Sequence, residues 1–97
     1  MTPERKLKKA ICAYLDSIGA YHFSPVQTGR GKAGLDIYVC YLGRFIGIEA
    51  KVLPRLATLR QSAAIHEINR AHGFAFVAYD VATVREHMEY LEKGYYE

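Results

Sequence analysis

The 97-residue sequence predicts one α/β domain spanning 1–97, a mixed sheet flanked by helices in the order α-β-β-β-α-β-α. Three observations carry that prediction. Three segments repeat apolar residues at helical spacing between cap and stop signals. A central stretch reads as two apolar strands around a tight turn, and a short continuous apolar run sits between the last two helical segments.

The first helix is "TPERKLKKAICAYLDSIG". Thr2 suits the N-cap, Pro3 the first helical position, Glu4 the dipole-favoured first turn and Gly19 the stop. Leu7, Ile11, Tyr14, Leu15 and Ile18 mark its buried face, which Glu4 shares. Arg5, Lys6, Lys8 and Lys9 cover mostly the other sides. "AYHFSPV" is a short strand stopped by Pro25, and a Gly-rich basic loop, "QTGRGKAG", follows. The hairpin "GLDIYVCYLGRFIGIEAK" comes next. "TLRQSAAIHEINRAHG" is a helix from a Thr58 cap to a Gly73 stop, with Thr58 and Gln61 spaced as a capping box. "FAFVAY" fits a strand covered on both faces. "DVATVREHMEYLEKG" closes the chain as an amphipathic helix with Val84, Met88 and Leu91 inward.

Composition narrows the function classes. Half the residues are hydrophobic and a quarter charged, the mixture of a soluble globular domain rather than a disordered one. No apolar run approaches the length of a membrane span, and the N-terminus lacks a signal-peptide pattern, so a membrane role is not expected and a cytoplasmic one is. Cys12 and Cys40 lack zinc-ligand spacing and read as buried free thiols of a reducing cytosol. The four histidines are scattered and give no transition-metal signal. Charge is unevenly spread. Residues 1–60 hold ten Lys or Arg against four acids, whereas residues 61–97 hold three against six. A basic half of this kind is the footprint of a polyanion binder.

The hairpin concentrates the chemistry. Strand alternation puts Asp36, Tyr38 and Cys40 on one face, and Gly47, Glu49 and Lys51 on one face of its partner. A type II′ turn at Gly43-Arg44 pairs Leu42 with Phe45, setting Asp36 opposite Lys51 with Glu49 on the diagonal. Two carboxylates and an amine so placed suit a hard divalent cation acting on a phosphodiester. They equally suit a cross-strand Asp36–Lys51 salt bridge that ends the hairpin. Glu4 and Gln61 face inward near helix N-termini, where each also has a local explanation: the helix dipole for Glu4 and the capping box for Gln61. The basic loop lacks a P-loop pattern. It is either a plain connection or, through Arg30 and Lys32, a contact to a DNA backbone.

An early helical Glu, a strand Asp, E-x-K on the next strand and a helical Gln resemble the PD-(D/E)XK nuclease superfamily. The string "GLDIYV…FIGIEAK…LATLRQ…HGFAFVAYD" is similar to its VRR-NUC branch, over nearly the whole chain. That resemblance implies a restriction-endonuclease-like fold and a Mg²⁺- or Mn²⁺-dependent DNA endonuclease, of the stand-alone type found in phages. Asp36, Glu49 and the Ala50 carbonyl would be metal ligands and Lys51 the catalytic lysine. Glu4 would act through a metal-bound water, and Gln61 would position water, lysine or phosphate. Arg5, Lys8, Lys9, Arg30 and Lys32 are the expected DNA contacts. Leu35 stands where proline is frequent in the family, which leaves the local turn open but removes no ligand. Stand-alone relatives resemble dimeric Holliday-junction resolvases, so a homodimer acting on branched or four-way DNA in a bacterial or phage-infected cell is expected, with "YLEKGYYE" a candidate interface segment. The rival expectation is a non-catalytic nucleic-acid-binding α/β domain whose acid cluster is structural.

Overall fold

In the computed structural model, which describes residues 1–26, 31–32 and 34–94, the elements follow the order read from the sequence. They are α1 (Pro3–Ser17), β1 (Tyr21–Phe23), β2 (Ile37–Tyr41), β3 (Arg44–Ala50), α2 (Leu59–Arg70), β4 (Phe74–Ala78) and α3 (Val81–Glu92). The strands form one mixed sheet in the order β1-β2-β3-β4, antiparallel except for the parallel β3–β4 pair that α2 connects. Residues 27–30, 33 and 95–97 lie outside the described residues, and with them Arg30 and the last residues of "YLEKGYYE".

Two layers of unequal size cover the sheet. On one face α1 and α3 close the main core, in which Ile11 and Leu15 meet Ile37, Val39, Ile46 and Ile48 and then Val84, Met88 and Leu91. On the other face α2 covers β3 and β4 with a smaller cluster of Leu35, Ala64 and Ala75. Gly47 has to be small there: a Cβ would sit 2.9 Å from Leu35 Cδ1 and 3.2 Å from Ile68 Cδ1. Asn69 brackets Ala75 with two side-chain hydrogen bonds, of 3.1 and 2.7 Å, and so occupies main-chain groups of edge strand β4.

The caps behave as read at α1, where Thr2 Oγ1 accepts the Arg5 amide and Gly19 takes the left-handed position after the helix. At α2 the left-handed residue is His72, at φ +71°, rather than Gly73. Gly73 is required for space instead, because a Cβ would lie 2.7 Å from Ile68 Cγ2 and 3.3 Å from the Phe45 carbonyl oxygen.

The hairpin turn differs from expectation. Leu42 and Gly43, both with positive φ, are its central residues, as in a type I′ turn, so Tyr41 pairs with Arg44 and Cys40 with Phe45. Glycine thus takes the second central position, and Leu42 accepts the left-handed region that the type II′ reading avoided. The register moves by two residues. An even shift leaves every side chain on its predicted face, while the partners change. The thiols also differ: Cys12 is half-buried and Cys40 exposed, because Cys40 lies on the sheet face that α2 leaves open.

Candidate active site

The end of the hairpin remote from its turn gathers the acids. Ile37 pairs with Ile48, so one step further Asp36 stands against Glu49, not against Lys51. Here β2 has left the ladder, and Asp36 Oδ2 accepts the Ala50 amide at 2.9 Å in place of a strand partner. The Asp36 and Glu49 carboxylates lie close enough to act directly on one another. Glu4 reaches the same spot from the first turn of α1, and one carboxylate oxygen from each of Glu4, Asp36 and Glu49 lies within 4.8 Å of the others.

Each acid has a cation beside it. Lys51 Nζ lies 3.5 Å from Glu49 Oε2, and both side chains are only 3 % exposed. Lys8 Nζ is 3.6 Å from Asp36 Oδ1, and Arg55 donates to Glu4 Oε2 at 3.0 Å. Asp36–Lys51, the salt bridge considered from the sequence, is therefore replaced by Asp36–Lys8 and Glu49–Lys51. The cations do not fully offset the crowding. Burial, and then the neighbouring Asp36 carboxylate, push the Glu49 carboxyl up from its ordinary value to about 7, against the opposing pull of Lys51.

The other expected residues divide. Gln61 is half-buried and its Oε1 accepts the Thr58 backbone amide at 2.8 Å while the Gln61 backbone amide donates to Thr58 Oγ1, so the capping box is made. Lys8 belongs to the acid cluster. Lys32 pairs with Glu67 of α2 at 3.1 Å, and Arg5 and Lys9 are exposed on α1. The reading from sequence missed Arg55 altogether. No motif marks it, since it sits in the irregular segment between β3 and α2. Lys8 carries no local signal for its role either, because its partner is Asp36 across the fold and not Glu4 one turn along α1.

The donor set is entirely oxygen, with no His or Cys in the cluster, which fits a hard cation such as Mg²⁺ or Mn²⁺ rather than a thiophilic metal. No family model and no curated protein matches the sequence. A solved structure described as a VRR_NUC domain superposes with a TM-score of 0.77, covering 92 % of this chain and 97 % of that one at 18 % identity. The chain has the fold of a VRR-NUC domain.

Proposed function

We propose that the chain is a divalent-metal-dependent DNA endonuclease that hydrolyses phosphodiester bonds. The observation that carries the reading is the convergence of Glu4, Asp36 and Glu49 beside buried Lys51, on a VRR-NUC fold. Asp36, Glu49 and the Ala50 carbonyl would hold Mg²⁺ or Mn²⁺, which supplies Lewis-acid polarisation of the phosphodiester.

The protein groups divide the remaining work. Lys51, kept from bulk water and held by Glu49, orients the attacking water and offsets charge growing on the phosphate. Glu4 holds a water at the edge of the site. Gln61, with its oxygen occupied by the cap, is left its amide nitrogen with which to donate to a phosphate oxygen. Lys8 steadies Asp36, and Arg55 steadies Glu4. Arg5 and Lys9, exposed on α1, and Lys32 bind the DNA backbone; Arg30 joins them in the proposal.

A second reading has its own support. With Lys8, Arg55 and Lys51 each beside one acid, the cluster has charge partners without any metal, as a structural network in a non-catalytic DNA-binding domain would. Incubation with duplexes, flaps, single strands and four-way junctions in Mg²⁺ or Mn²⁺ separates the two. The nuclease cleaves, and a chelator stops cleavage while binding persists; binding with no cleavage of any substrate favours the second reading.

As to substrate, one such site cuts one strand, so the proposal extends to a homodimer making paired incisions in branched DNA, four-way junctions above all. Light scattering and strand-by-strand mapping of cuts in a fixed junction test it. A monomer that nicks flaps and ignores junctions removes this extension and leaves the nuclease reading in place.

A further inference from the structure

The sheet face that bears Glu49 continues, away from the acids, into a row of aromatic rings. Register sets Phe23 beside Tyr38 and Gly47, and sets Tyr21 beside Cys40 and Phe45, in successive rows. Alternate residues along a strand lie roughly 7 Å apart, so Tyr38 is one such step from Asp36. The ring centroids follow one another at 6.4 Å (Tyr21–Phe23), 5.7 Å (Phe23–Tyr38) and 5.4 Å (Tyr38–Phe45, stacked at 25°). Tyr38 packs at the rim of the α2 cluster, and beyond it, toward β1, the face has no helix over it. Tyr21, Phe23 and Phe45 remain 69 %, 48 % and 50 % exposed. Beside Tyr38 and Phe45 a groove of about 670 Å³ opens toward the end of α2, lined by Arg44 and by the Lys32–Glu67 ion pair. Arg44 has no acidic partner among the described residues.

Three exposed rings clustered on one sheet face are costly to leave in water unless something covers them. Their spacing and the flanking cations match one chemistry. We infer that this face is a stacking platform for the unpaired bases of a DNA strand running from the cut, an inference that rests on the nuclease reading. Bases stack on aromatic rings regardless of sequence, and Arg44, with Lys32 once it parts from Glu67, answers the phosphates between them. Duplex DNA, its bases already stacked on one another, gains nothing from the rings. The platform therefore selects DNA that is unpaired next to the scissile bond.

The test compares a labelled oligothymidylate with a blunt duplex of equal length, both in EDTA so that nothing is cut. The Phe23→Ala/Phe45→Ala double variant should lose single-strand affinity by roughly fivefold or more per ring while duplex affinity is unchanged. Phe45→Trp should retain binding, and its indole, the only one in a chain without tryptophan, should be quenched by the oligonucleotide. Tyr21→Ala, at the most exposed ring, gives a milder loss and serves if the double variant folds poorly. Unchanged single-strand affinity, or equal losses for both DNAs, overturns the platform. So does conversion of a dimer to a monomer by the double variant with both affinities intact, which would assign the face to a second copy of the chain. Selective loss in a protein that cleaves nothing would instead overturn the nuclease reading and leave the platform standing.

Discussion

Asp36 accepts the Ala50 amide at 2.9 Å, so one acid of the cluster is fastened to the strand that presents the next. The bond separates two roles of Asp36. Asn keeps an acceptor for the amide while losing the charge; Ala loses both. Asp36→Asn should leave the metal-free protein no less stable, and Asp36→Ala should cost about 1–3 kcal/mol for the amide left without a partner. At a hundred times its dissociation constant, Mg²⁺ should stabilise the parent by about 2.7 kcal/mol and either variant much less. Thermal melts with and without Mg²⁺ decide it; equal metal-induced shifts in parent and Asp36→Asn would remove Asp36 as a ligand.

Lys51→Ala separates chemistry from binding. Cleavage should fall by roughly 10²-fold or more, while DNA affinity stays near the parent's because one phosphate contact is a small share of the electrostatic total. The same substitution leaves Glu49 buried without its cation, so the Glu49 carboxyl should bind its proton still more firmly. Single-turnover cleavage beside equilibrium binding in EDTA tests the first point. Cleavage within a few-fold of the parent would return Lys51 to a purely structural role.

Glu49 also makes stability depend on pH. Its folded pKa, about 7, lies above its ordinary 4.5, so between those values the folded state binds the proton more tightly. This contribution is complete below 4.5 and is lost as pH rises through about 7. His87, whose pKa burial lowers, works in the opposite sense and loses stability as pH falls. The difference between parent and Glu49→Gln isolates the carboxyl. Denaturant unfolding without divalent cations, run from about pH 5 to about pH 8, should show the parent weakening relative to the variant as pH rises. Parallel curves would contradict the raised pKa.

Arg5 and Lys9 are exposed on α1 and free to meet a phosphate backbone, whereas Lys8 is engaged by Asp36. Arg5→Ala and Lys9→Ala should each flatten the slope of log affinity against log salt by about 0.9, without regard to sequence. An unchanged slope in the double variant would make α1 a solvated face and move attention to Lys32.

The element order was legible because each helix carries its own punctuation: Thr2 and Gly19, Thr58 and Gln61, and the apolar triad Val84, Met88 and Leu91. Parity was legible too, since either two-residue turn around Gly43 places Asp36 and Glu49 on one face. The turn itself was not. A lone glycine at 43 suits either type II′ at its first position or type I′ at its second, and local sequence does not decide between them. Packing that seats Ile37 against Ile48 does. The pairing of charges was legible only in part. Neither Lys8, which meets Asp36 across the fold, nor Arg55, in irregular chain 51 residues from Glu4, has a contact that a local pattern foretells. Gln61 shows the limit from the other side, for its capping geometry is visible in sequence and hides whether its nitrogen has further work.

The hairpin is the shortest-range part of the sheet, and its ends bring Asp36 and Glu49 together within one local unit. Hairpins close in microseconds, before a distant helix has docked. The two carboxylates would thus meet while the chain is still largely unfolded, and Glu4 would arrive only when α1 settles on the core. Neutralising Asp36 should accordingly quicken refolding, whereas substituting Glu4 should show itself mainly in the rate of unfolding. Placing two mutually repelling acids across a hairpin thus taxes the ascent to the native state, and on the proposed metal-binding reading a dication in the medium should act as a folding accelerant.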